Sequence, residues 1–390
     1  MKLKISLTLA LTATIFIVSA QTSKIIIQEN IRLPKDTIVA NQLIKSLNSF
    51  LAEKEKTNKE NTFVLKEDLP ETSAWLDEIK GIEKSQKFKD DYFYKGYLTN
   101  VVPINKTDYL VQFSYIGVNE NKPILMASFE LLAKKKDSRF YFASTLKKNT
   151  KSWKSKTFGN ISFHFKNTLN EKVAKNYEKQ VSYYDKKLNA PNSKIEWYGC
   201  DDLQEVLKTV GVPYKLDYNG ANADTFSGNE NNILVRVVGQ NNASFNSFDP
   251  HDLWHDRLHN VISTSIINKP VDEGCAYLYG GSWEISWSEI LKTFKEKVSS
   301  NSKTNWLATY EDFYDFGESK EKHLLVPYVI NALIIEKLEK EKGFSAVIEL
   351  LSCGKYQKGN ENYYKTLEKL TGITKSNYNE KVWELINNAK

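Results

Sequence analysis

Residues 251–259 read HDLWHDRLH, which holds three of the chain's five histidines, each four positions from the next. Asp249-Pro250 directly before them predicts a helix start. A carboxylate at the cap accepts free N–H groups, and proline at the first helical position lacks only a donor that would have no partner there. Four residues advance a helix by about 6 Å and nearly one turn, so His251 and His255 leave the same face and can share one metal ion. His259 lies about 12 Å along the axis from His251, too far for two ligands that each sit about 2 Å from one zinc ion. It reads as a structural or rim residue.

A catalytic zinc site needs a third protein ligand and an open position for water. The stretch NKPVDEGCAYLYGGSW (268–283) offers that ligand. Pro270 can start a second helix, Glu273 falls in its first turn, and Gly280-Gly281 end it. Seventeen residues separate His255 from Glu273. That is enough for one helix to finish, a loop to turn, and the next helix to bring Glu273 back to the histidine pair.

With these residues in view, the chain from 155 to 390 resembles the gluzincin branch of zinc metallopeptidases, the peptidase-MA-like group related to thermolysin and the aminopeptidases. In that group an HExxH helix is followed by a helix bearing an EGxA-like segment, here Glu273-Gly274-Cys275-Ala276. The resemblance implies a zincin-like mixed sheet followed by a helical C-terminal subdomain. It also implies zinc held by His251, His255 and Glu273, and hydrolysis of peptide bonds in a peptide or protein substrate. The helical tail, VPYVINALIIEKLEKEKGFSAVIELL (326–351) and the final YKTLEKLTGI…VWELI, is similar to the group's C-terminal helices. Such enzymes commonly steady the oxyanion with a Tyr or His from these helices, which points to Tyr328 and His323. Strand 233–238 resembles the edge strand on which such peptidases lay an extended substrate.

One position departs from the pattern. In the family, the residue after the first histidine is a glutamate that passes a proton from the attacking water to the leaving amine. Position 252 is aspartate. The shorter arm retracts the carboxylate by about 1–1.5 Å, and a misplacement of that size can cost about a hundredfold in rate. The alternative is therefore a metal-holding relative without peptidase activity, acting as a binding or structural protein. Asp256, one turn on, is a conceivable substitute base, although a solvated helix acid is the simpler reading.

The rest of the chain supplies context. At 390 residues and 41% apolar it is long enough for two cores. The opening MKLKISLTLALTATIFIVSA (1–20) has lysines before an apolar run and small residues at its end. That is the pattern of a cleaved export signal, giving a periplasmic or secreted protein with no spanning segment left after cleavage. Without the two signal lysines the formal charge of +6 becomes +4, and the charges are interleaved, so no nucleic-acid partner is expected. Cys200, Cys275 and Cys353 allow at most one internal bridge. Helix-like spacing over 36–85, then β-rich runs at 109–118, 124–132 and 140–146, predict a small α+β domain over 21–150. A polar linker follows near 150. Further on, strands at 161–165, 195–198 and 233–238 alternate with helices, one of which Asp201 can cap. The fold class is α+β.

Overall fold

The computed structural model describes residues 24–298, 303–317 and 322–389; the export signal read over 1–20 lies outside them. The chain forms two compact units, one of residues up to 149 with 207–221, the other of 150–206 with 222 onward. Both are mixed α and β.

In the first unit, β1 (Ile26–Ile27) pairs in parallel with β2 (Lys95–Pro103), and β3 (Tyr109–Asn119), β4 (Lys122–Lys136) and β5 (Arg139–Ala143) continue as an antiparallel meander. Helices α1 (Thr37–Ala52) and α2 (Leu69–Ile79) bury Phe50 and Trp75 with Phe113 and Phe129 of the sheet. The unit closes with the short α3 (Leu146–Asn149). The later segment 207–221 belongs here because Trp75 donates to the Gly211 carbonyl (2.9 Å) and Tyr214–Lys215 pairs with β4.

In the second unit, β6 (Lys154–Phe158) and β7 (Ile161–Phe165) form a hairpin, and α4 (Glu171–Leu188) leads to β8 (Lys194–Cys200). Residues 154–158, read from sequence as linker, are therefore an edge strand. Its lysines face solvent and hide the alternation. Helix α5 (Leu203–Val210) is capped by Asp202, which accepts from Glu205 N (2.8 Å), whereas Asp201 takes Lys166 instead. After Tyr214–Lys215, here β9, come β10 (Asp224–Glu230) and β11 (Ile233–Gly239). The sheet order is β10-β11-β8-β7-β6, with the three inner strands parallel and both outer ones antiparallel. Strand 233–238 is thus interior, not an edge. Its nearly continuous burial suits a strand covered on both sides. The edge is β10, whose polar DTFSGNE gave no strand signal.

The helical part comprises α6 (Pro250–His259), α7 (Lys269–Gly280), α8 (Trp287–Lys297), α9 (Trp306–Glu311), α10 (Val326–Lys342), α11 (Phe344–Leu351), α12 (Glu361–Thr371) and α13 (Tyr378–Asn388). Helix α10 is its axis, buried from Val326 through Ile335, as a helix apolar on all sides must be. Asp185 of α4 fixes α6 by gripping the buried Arg257 guanidinium at 2.6 and 2.9 Å. All three cysteines are free. No helix among the described residues is long and apolar enough to cross a membrane.

Gly274 lets α7 lie close on α10: a Cβ there would come within 2.6 Å of Asn331 Cβ. The contact is between two helices that cannot separate locally, so Gly274→Ala should destabilise the protein by about 1–3 kcal/mol. A lowered unfolding midpoint in thermal or urea denaturation is the expected result.

Candidate metal centre

Asp249 caps α6 by accepting from His251 N (2.8 Å), and Pro250 occupies its first turn. His251 and His255 leave the same face with their Nε2 atoms 3.2 Å apart. From the first turn of α7, Glu273 Oε2 lies 3.4 Å from His251 Nε2 and 3.9 Å from His255 Nε2. Ligands at 2.0–2.1 Å from a tetrahedral zinc ion are separated by about 3.3–3.4 Å, so these three atoms stand near the spacing of one such ion.

The other ring nitrogens fix the chemistry. His251 Nδ1 lies 2.7 Å from the Gly281 carbonyl, and His255 Nδ1 lies 3.0 Å from both oxygens of Asp272. A carbonyl and an ionised carboxylate only accept, so each Nδ1 carries a proton and each ring turns its Nε2 toward the other. The two Nε2 atoms, once deprotonated, and the Glu273 carboxylate present three lone pairs to one point. The residues therefore fit a cation, and the carboxylate behind His255 is the brace that metal-ligating histidines ordinarily have.

Asp272 is tied down further. Trp254 Nε1, fully buried, donates to it at 3.0 Å, and His259 Nε2 stands 3.8 Å from its other oxygen. Burial works against its charge, but the hydrogen bonds from His255 and the nearness of the His259 ring outweigh this and hold the carboxyl at about 2. His255, His259 and Asp272 form a second metal-compatible group. Within it, the contacts of His255 Nδ1 to both Asp272 oxygens are hydrogen bonds, which leaves Nε2 free for the first group. His259 thus stands beside Asp272, and its interaction with that carboxylate raises its own pKa.

No protein-family model, curated protein or solved structure matches the chain.

Two cavities share His255. One, of about 370 Å³, is bordered by Asp252, Asp249 and Asp256 of the α6 region, by Arg236 and by Thr225 of the edge strand β10. The Asp252 carboxyl there is raised, first by burial and then by the Asp249 charge. Asp256 is ion-paired with Arg236, so it is not a free base. The other cavity, of about 830 Å³, is bordered by Glu273 and Tyr328. Tyr328 sits in the first turn of α10 against Tyr277 and Phe313, and burial followed by the Glu273 and Asp272 charges raises its pKa. His323 does not border either cavity. Its ring pairs with Asp315, and its carbonyl accepts from Trp283 Nε1 (3.0 Å).

The three converging residues are legible in the sequence, whereas Asp272 and the Gly281 carbonyl are not. An acid adjacent to Glu273 was the only available signal for the first, and a backbone acceptor has none. Gly280 matters as well: a Cβ there would meet His251 N at 2.6 Å, so only glycine lets the end of α7 abut the start of α6.

Two outcomes follow from this bracing. Asp272→Asn keeps the shape but removes the charge behind His255, and should weaken zinc binding about tenfold or more in a chelator competition. Burial disfavours the His251 cation, but the Glu273 and Gly281 hydrogen bonds prevail and raise its pKa above the usual value. Protons and metal compete for the same lone pair, so zinc affinity should fall by at least about tenfold from pH 8 to pH 6, with proton release on binding.

Proposed function

We propose that the protein is an exported zinc metallopeptidase of the gluzincin type, acting on peptide or protein substrates. The observation that carries this reading is the convergence of His251 Nε2, His255 Nε2 and Glu273 Oε2, each ring held from behind by a hydrogen bond. A mixed sheet with an antiparallel edge strand, followed by a helical part, is also compatible with a zincin-like fold. Zinc in such a site supplies an activated water and polarises a carbonyl.

The protein's own residues would do the rest. Asp252 is the base that accepts the proton of the attacking water and returns it to the leaving amine; its raised pKa suits a group that must also give the proton back. Tyr328, bordering the same cavity as Glu273, donates to the developing oxyanion. The edge strand β10 borders the Asp252 cavity through Thr225, so an extended substrate could pair with its free edge by main-chain hydrogen bonds.

A second reading has one observation in its favour. The base is a short aspartate, and Asp256, the nearby acid that could replace it, is committed to Arg236. On that reading the protein keeps the metal and binds without cutting.

Metal analysis combined with cleavage of a mixed peptide library separates the two. Stoichiometric zinc, lost in His255→Ala, with turnover reduced at least about a hundredfold in Asp252→Asn, is the outcome expected of the peptidase. Asp252→Glu should then maintain or raise turnover. Zinc without cleavage at any pH favours the binding protein, and a chain that takes up no metal refutes both.

A further inference from the structure

The larger cavity beside the candidate metal centre has a chemistry of its own. Its walls are aromatic: Phe313 meets Tyr356 edge to face at 5.2 Å and Tyr328 at 6.3 Å. At about 830 Å³ it has the size of a small-ligand pocket. Four charged side chains border it, Asp272, Glu273, Lys269 and Lys355. The two acids are committed. Asp272 is held by Trp254 and His255, and Glu273 faces the two histidines. Neither lysine has an acidic partner among the described residues.

Backbone contacts bring these lysines to one place. Asn268, just before Lys269, donates through Nδ2 to the Gly354 carbonyl (3.0 Å) and through its backbone N–H to Leu351 O (2.8 Å). Gly354, just before Lys355, donates to Ile266 O (3.0 Å). The start of α7 and the segment after α11 are therefore sewn together, each contributing one ammonium group. Lys269 and Pro270 are also the first residues of α7, so the positive end of that helix dipole borders the cavity. Asp272 and Glu273 both turn to the histidine side, so with a divalent cation held at the centre the charge left to the cavity is that of the two lysines.

We propose that this cavity is the subsite for the substrate residue beside the bond that is cut, and that it selects a carboxylate. Lys269 and Lys355 hold the carboxylate, while Phe313, Tyr328 and Tyr356 cover the apolar part of the same residue. This rests on the peptidase reading for its place beside the scissile bond. An acidic side chain and a free C-terminus present the same group, so the preferred substrate carries either a Glu or Asp residue or its own C-terminal carboxylate at that position.

The test uses zinc-loaded full-length protein after export processing and four short peptide hydroxamates, with glutamate or glutamine next to the chelating group and a free or amidated C-terminus. Affinities are read by calorimetry, so no cleavage is required and a non-cutting protein is tested equally well. Two partly exposed ion pairs support a preference of roughly tenfold for the carboxylate-bearing ligands, shrinking as salt is raised. A preference that follows glutamate assigns the subsite to an acidic side chain, and one that follows the free terminus assigns it to the C-terminal carboxylate. The Lys269→Ala/Lys355→Ala double variant should no longer discriminate among the four; both side chains are exposed, so a melting curve suffices to check its fold. Equal affinity of all four for the zinc-loaded wild type overturns the subsite and leaves the metal centre standing. A double variant that keeps the preference also overturns it. Protein that holds no zinc refutes the metal centre itself, and the subsite with it.

Discussion

Two imidazole nitrogens held 3.2 Å apart, with a carboxylate oxygen closing the triangle, crowd three ligand atoms around one point. With neither a proton nor a cation between them the arrangement is costly in a half-buried place, because the lone pairs repel. It persists because the opposite edge of each ring is anchored, His251 on the Gly281 carbonyl and His255 on Asp272. Both anchors come from α7. The relation of α6 to α7 is therefore the constraint on which the site depends.

Much of the second unit's packing holds that relation. Gly280 permits the end of α7 to touch the start of α6, and Tyr184 of α4 places its hydroxyl 3.0 Å from Pro250 O and 3.1 Å from Tyr279 O, beside both helices. Arg257 and Asp185 fix the other end of α6 to α4. On its far side, α7 is seated on the apolar α10 across Gly274, and Asn331 of α10 is itself satisfied inside the core by Tyr310, Tyr363 and the Pro327 carbonyl. Apolar burial sets the distances between the helices, and a few buried polar bonds set their rotation. The same helix start that delivers Glu273 also delivers Lys269, so the geometry of the centre and the charge of the neighbouring cavity have one origin.

Features governed by local rules were legible in the sequence. The Asp249-Pro250 start, the shared face of His251 and His255, the helix from Pro270 to Gly280-Gly281 and the meander of the first unit all follow from capping, periodicity and turn chemistry. Failures came where a strand's environment decided its role. Strand 233–238 looked like an edge strand by analogy, yet β10 covers it; β10 itself is too polar to announce a strand, and the lysines of β6 made it look like a linker. Asp201 and Asp202 are equivalent to a capping rule, and only the position of Lys166 separates them.

The sequence by itself determined which side chains could face together, because helix geometry repeats every few residues and needs no distant partner. It fixed His251 with His255 and set Glu273 at the start of the next helix. The tertiary structure alone decided that these three atoms converge, that Asp272 and a backbone carbonyl hold the rings, that Asp256 is spent on Arg236, and that two lysines from separate segments border one cavity. Those facts depend on how α6, α7, α10 and the segment after α11 are packed, and packing is settled by the burial of the whole core rather than by any stretch of nine residues.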